Sequence, residues 1–186
     1  MSVLQIHVLG APVLREVTTP VAQVTDELRR LIDDMFETMY AAKGIGLAAP
    51  QVGRLERLAV VDVDDEPIVL VNPEIVHAEG RAKGEEGCLS IPEVYADVER
   101  SATVRVRALN AQGEPFEMDA GDLLARCFQH EIDHLHGKLF IDYLSLLKRR
   151  SVTARWDKLK KDFPGNLRTL SAQEVAEHEP KPGEGL

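Results

Sequence analysis

Residues 129–137, Gln129-His130-Glu131-Ile132-Asp133-His134-Leu135-His136-Gly137, restrict what this chain can become more than any other stretch. On an α-helix, His130 and His134 lie about 40° apart around the axis and one turn apart along it, so two imidazoles can grip one ion. Glu131 follows the first of them directly. Its carboxylate can lie beside such an ion without binding it, where it could take a proton from water. Three of the six histidines fall in this turn and a half. Leu123, Leu124, Phe128, Ile132 and Leu135 make an apolar stripe that anchors the helix in a core, and Gly137 supplies a C-terminal stop. The plainer reading is an exposed helix with histidines among acids, and the clustering and the stripe favour the metal site.

A catalytic site of the zinc type takes three protein ligands and a water, so one more ligand is required. The chain has two cysteines, Cys88 and Cys127. Cys127 projects from the same helix face as the histidines, yet it lies roughly 10 Å from His134 along the axis, which assigns it to a pocket lining. Cys88 sits in a Gly-flanked loop that can fold over the helix, and it is the favoured ligand. Glu85 and Glu86 stay open as carboxylate alternatives. His136 and Asp133 fall about 100° or more from the nearest ligand histidine, which argues against a closed four-ligand site.

Around this helix the remaining patterns are short. Leu28, Leu31, Ile32, Met35, Phe36, Met39 and Tyr40 repeat at helical spacing behind a Thr25 N-cap, ending at Lys43-Gly44. The run Gly44-Ile45-Gly46-Leu47-Ala48-Ala49-Pro50-Gln51-Val52-Gly53 reads as a tight connection that lets backbone approach a ligand, with Gln51 able to donate to a carbonyl oxygen; it lacks the ending of a phosphate loop. Residues 58–63 and 68–71 are β-rich runs joined by Asp64-Asp65-Glu66-Pro67, and Asn72-Pro73 ends the second. A short run at 74–77 precedes a glycine-bearing loop (Gly80, Gly84, Gly87), and residues 104–109 return through 114–118. Strands without strand-helix alternation give an α+β class, with mixed or antiparallel sheets packed around a central HExxH helix, an N-terminal helix and a C-terminal helix.

The 186 residues suffice for one domain, placed at 1–165, with the polar 166–186 as a mobile tail. A net charge of −9 argues against broad nucleic-acid or anionic-membrane binding. The absence of a signal-like start or a long apolar run, and the sparse cysteine, point to the cytoplasm. A predicted helix at 144–161 carries Lys148, Arg149, Arg150, Arg155, Lys158, Lys160 and Lys161 against Asp157 alone, either a solvated face or a docking face.

Three blocks, the run from Gly44 to Gly53, Glu86-Gly87-Cys88-Leu89-Ser90 and Gln129-His130-Glu131-Ile132-Asp133-His134, stand in the order and spacing of the peptide deformylases. The chain resembles a bacterial member of that family from its N-terminal arm to near Lys160. The resemblance implies Cys88, His130 and His134 as metal ligands and Glu131 as catalytic acid/base. It implies that Gln51 and the Leu89 N–H polarise a formyl oxygen, and that backbone at Ile45 and Gly46 aligns the peptide as an added strand. Arg100 would contact substrate further along, and Leu123 and Cys127 would line the methionine pocket. The implied reaction is removal of the N-formyl group from nascent chains by metal-activated water, with release of formate. One divalent ion per chain is expected, Fe²⁺ in the cell, with Zn²⁺, Ni²⁺ or Co²⁺ able to substitute. The implied partners are N-formyl-methionyl nascent peptides and the ribosome near its exit tunnel, through the basic helix, with no membrane and no specific DNA. A metallopeptidase would use the same histidine pair, although Cys88 argues against it, and a non-catalytic metal-binding or peptide-binding protein is the alternative from another class.

Overall fold

The computed structural model describes residues 2–178. A short strand, β1 (Ile6–His7), opens the chain, followed by helix α1 (Asp26–Ala41), whose N-cap Thr25 accepts a hydrogen bond from the Leu28 N–H as its sequence required. Strands β2 (Gly46–Ala48), β3 (Leu58–Val63) and β4 (Glu66–Glu79) follow. The β3–β4 hairpin turns through Asp64 and Asp65, both at φ 61°, the doubly left-handed turn that matches strand twist. Next come β5 (Ala82–Cys88), β6 (Ile91–Arg100), β7 (Thr103–Leu109) and β8 (Pro115–Gly121). Helix α2 (Asp122–Leu135) carries the histidine pair, and α3 (Leu146–Leu159), β9 (Leu167–Arg168) and α4 (Ala172–His178) complete the described residues.

The class is α+β with antiparallel pairing in every sheet: a five-stranded sheet in the order β2-β3-β4-β7-β8, a β5-β6 hairpin and a β1-β9 pair. Strand β3 explains the layering. Its Ala59, Val61 and Val63 join Phe128, Ile132 and Leu135 of α2 in one core, while its Leu58 and Val60 join Leu31, Met35 and Met39 of α1 in another. A strand covered on both faces shows no polar alternation, hence its continuous apolar run. A third core gathers Ile91, Val94 and Val98 of β6 with Phe140, Val152 and Trp156. The first of these cores holds α2 against the sheet and leaves its histidine-bearing face toward the hairpin, where His130 meets Glu86 and His134 meets Cys88.

Three expectations need correction. The strand before Asn72-Pro73 does not end there. Pro73 lacks a donor, so β4 bulges between Val71 and Glu74 and continues to Glu79, with Asn72 at φ 51° and its side chain bonded to the Val21 backbone. The glycine-rich stretch read as a loop is β5, paired with β6 from Ala82 to Glu86 and again at Cys88 after a register shift at Gly87; its polar side chains reflect a two-stranded ribbon with little to bury on its outer face. The expected tail from 166 is built into the body as far as 178. Leu167 and Arg168 pair with β1, and Leu170 is buried with Ile6, Ala41 and Ala42. The remainder of that expectation, 179–186, lies outside the described residues. No described helix is long and apolar enough to cross a membrane.

Candidate active site

A cleft of about 680 Å³ runs between the β2 edge and the β5–β6 hairpin, with α2 as its floor. Gly44, Ile45 and Gly46 line one wall, Gly87, Cys88 and Leu89 the other, and Leu123, Cys127, His130 and Glu131 rise from the floor. The sequence-predicted residues therefore meet in one place, with one exception described below.

One ligand atom each from Cys88, His130 and His134 lies within 4.8 Å of the others. Cys88 Sγ stands 3.2 Å from His134 Nε2, which stands 3.2 Å from His130 Nε2. Three soft or borderline donors turned toward one point match a divalent transition ion. His130 Nδ1 is 2.9 Å from Glu86 Oε2, which fixes the proton on Nδ1 and leaves Nε2 free to donate its lone pair. Burial holds the His134 imidazole neutral, as a ligand must be. Cys127 lies on the cleft floor, and burial pushes its thiol well above its ordinary range, so it stays protonated. Its Sγ is 3.5 Å from the Ile45 carbonyl oxygen.

Glu131 is 4% exposed, and its Oε2 has no partner among the described residues. Burial pushes its carboxyl up to about 7. Gly46 faces it, and a Cβ there would run into Glu131 Oε1 and Cys127 Sγ, so only glycine lets the β2 edge approach the carboxylate. Gln51 is 1% exposed and rigidly set. Its Oε1 accepts from the Ala48 N–H at 2.8 Å, so its Nε2 must point the other way, where it lies 3.2 Å from Ser90 Oγ and 3.6 Å from Cys88 Sγ.

Arg100 is the exception. Expected to reach substrate, its side chain is 3% exposed and turned away from the cleft, with Nε 2.8 Å from Glu86 Oε1 and Nη1 2.5 Å from Asp133 Oδ2. Arg126 adds a third contact to Glu86 at 2.8 Å, and Arg100 sits 4.5 Å over the Tyr143 ring. Against the upward push of burial, the hydrogen bonds from His130 and Arg100 hold the Glu86 carboxyl down at about 2. Glu86 thus supports a candidate ligand and is not one itself. Glu85 is exposed on the cleft rim and stands outside the three converging donors. Sequence reasoning missed this buried network; the available signal was an acid immediately before Gly87-Cys88 and arginines on neighbouring elements. Arg100→Ala is expected to lower folding stability by about 3 kcal/mol, since it takes one cation from the buried Glu86, leaving it Arg126 and His130, and removes the guanidinium from the half-buried Asp133; a urea unfolding midpoint reads this directly. On the rim, where Arg100 was expected, stands Tyr95, 59% exposed, its ring against Gly87.

Residues 3–150 match the model of the family described as polypeptide deformylase. The peptide deformylase of Alkalilimnicola ehrlichii is 57% identical over 86% of this chain and 92% of its own length. That of Acidobacterium capsulatum is 56% identical over 81% of this chain and 91% of its own. Among solved structures, a peptide deformylase from Legionella pneumophila superposes with a TM-score of 0.83 at 48% identity, covering 86% of this chain and 96% of that one. The enzyme from Synechococcus elongatus, solved in complex with actinonin, gives 0.80 at 42% identity, covering 92% of this chain and 89% of that one.

Proposed function

Because the chain belongs to the polypeptide deformylase family, we propose that it removes the N-formyl group from the formyl-methionyl start of new polypeptides, using Cys88, His130 and His134 to hold one divalent ion and Glu131 to move the proton. The observation that carries this reading is the conjunction of three converging donors with a buried, unpartnered carboxylate under an open strand edge. The donor set suits Fe²⁺ and Zn²⁺ alike; we take Fe²⁺ as the ion used in the cell, with Zn²⁺, Ni²⁺ or Co²⁺ able to replace it. When bound, the ion supplies Lewis acidity toward water and the formyl oxygen.

The chain's own residues do the rest. The free edge of β2 takes the peptide as an added strand, with the Ile45 and Gly46 backbone setting its register. Gln51 Nε2 and the Leu89 N–H face the developing oxyanion, and the Gln51 amide cannot flip because Ala48 N–H holds its oxygen. Glu131 accepts a proton from the attacking water and returns it to the leaving amine; a carboxyl held near neutrality by burial is suited to both steps. Leu123 and Cys127 offer apolar surface to the methionine side chain. A formyl carbon bears only hydrogen, so a narrow site at the three donors admits it and rejects an added methyl. Metal-loaded protein is therefore expected to release formate from a formyl-Met peptide at least about 100-fold faster than acetate from its acetyl twin, and equal rates would contradict the site.

We place this work in the cytoplasm, at the ribosomal exit, with α3 docking on ribosomal RNA phosphates. The exposed Leu146 and Leu147 and the cations Lys148, Arg150, Arg155, Lys158 and Lys161 support a docking face; Arg149 is occupied with the Ile141 and Asp142 carbonyls, and Lys160 with Asp157. Ribosome binding that ignores salt and survives charge reversal at Lys158, Lys160 and Lys161 would refute the docking role.

A further inference from the structure

The family match ends at residue 150, yet the cleft does not. Phe163, Arg168, Thr169 and Glu174 line the same cavity as His130 and Glu131, so residues well outside the matched region form its outer wall. This wall is fastened to the body at several points. Arg168 pairs with Ile6 across β1 and β9, Leu170 is buried against Ala41 and Ala42, and Glu177 bonds Lys43 at 2.9 Å.

A peptide whose formyl end lies at Glu131 and whose methionine side chain rests by Leu123 and Cys127 advances about 3.3 Å per residue along the strand edge. Its next residues must pass the mouth of the cleft, between this wall and the β5–β6 rim. The charges there are unevenly satisfied. Arg168 bonds Glu174 at 3.0 Å, and Lys43 bonds Glu177, so both cations of the wall are matched. Across the mouth, Glu85 and Glu93 are exposed and have no ion pair among the described residues.

We propose that residues 163–174 form a specificity wall for the residues that follow methionine, and that the Arg168–Glu174 pair sets which side-chain charge is tolerated there. This rests on the deformylase reading above. In the intact pair Arg168 balances Glu174, so the wall is neutral and the rim acids leave the mouth mildly acidic. Arg168→Glu places a second carboxylate on the wall and makes the mouth favour cationic peptides. Thr169→Arg, at an exposed position of the same wall, does the reverse.

The test uses the metal-loaded full chain and three substrates: formyl-Met-Ala, formyl-Met-Ala-Lys-Ala and formyl-Met-Ala-Glu-Ala. The quantity read is the ratio of kcat/KM for the lysine peptide to that for the glutamate peptide. Arg168→Glu is expected to raise this ratio about fivefold and Thr169→Arg to lower it by a similar factor, the size of a partly exposed charge contact. Arg30→Glu, the same charge change on an exposed face of α1, controls for the overall field and is expected to leave the ratio in place. Unfolding midpoints establish that each variant is folded, and the two wall variants fail independently. A ratio that moves in neither variant, or moves equally in Arg30→Glu, overturns the proposal while formyl-Met-Ala turnover by the parent protein still upholds the deformylase reading. Absence of formate from all three peptides with the parent protein would overturn both.

Discussion

Glu131→Gln is expected to lower kcat for formyl-peptide hydrolysis by about 10²–10⁴-fold, the range lost with a positioned general acid/base. At 1.36 kcal/mol per decade this is about 3–5 kcal/mol of transition-state stabilisation. The amide keeps the volume of the side chain and its place under Gly46, so the ligand set and the cleft remain intact. The same substitution separates catalysis from structure. The native carboxyl is buried, one of its oxygens has no partner among the described residues, and burial has pushed it to about 7. Each of these marks a group that folding pays to retain. Replacing it with a neutral amide is therefore expected to leave the unfolding midpoint unchanged or raise it, as found where activity is traded against stability. A large fall in both rate and stability would instead make Glu131 a structural residue.

Cys88→Ala is expected to abolish turnover and metal retention together. The Cys88 sulfur is one of three donors within 4.8 Å, and two imidazoles on one helix hold a divalent ion far less well than a three-point set. Losses of supporting residues alone give roughly 10–100-fold weaker binding, so removal of a ligand is expected to exceed that. Metal analysis after desalting reads it: close to one ion per chain in the parent protein and little in the variant. Cys127→Ala is the matched comparison, since Cys127 lines the cleft as a protonated thiol; full metal content there, with loss in Cys88→Ala, distinguishes the two cysteines. Retention of the ion by Cys88→Ala would point back to a carboxylate ligand.

How far the sequence carried depended on whether a residue's partners were local. Helix α1 was legible from its cap and its spacing, because Thr25 and Leu28 interact within one turn. The histidine pair was legible for the same reason, and β3 could be seen as an apolar run because both its faces are covered. Cys88 was preferred to Cys127 on helix geometry and by the motif it sits in, and its sulfur does lie within 4.8 Å of the two histidine donors. Strand β5 was hidden because it carries glycines and charges, while the buried apolar residues of the hairpin stand on β6 alone. Arg100 was misjudged because its direction is set by Glu86 and Asp133, 14 and 33 residues away in sequence, which no local pattern reveals. The ordered stretch from 166 to 178 escaped for a similar reason: its polar composition suggested solvent, while Arg168 and Leu170 find their places on β1 and α1 at the far end of the chain.

The most direct measurement is mass spectrometry of the products from one formyl-Met peptide incubated with anaerobically metal-loaded protein. The expected result is a single peptide product shortened by the formyl group alone, with formate in equal amount, and no such product with Glu131→Gln. Fragments from internal cleavage, or an untouched peptide in the presence of protein shown to hold one ion per chain, would contradict the deformylase site.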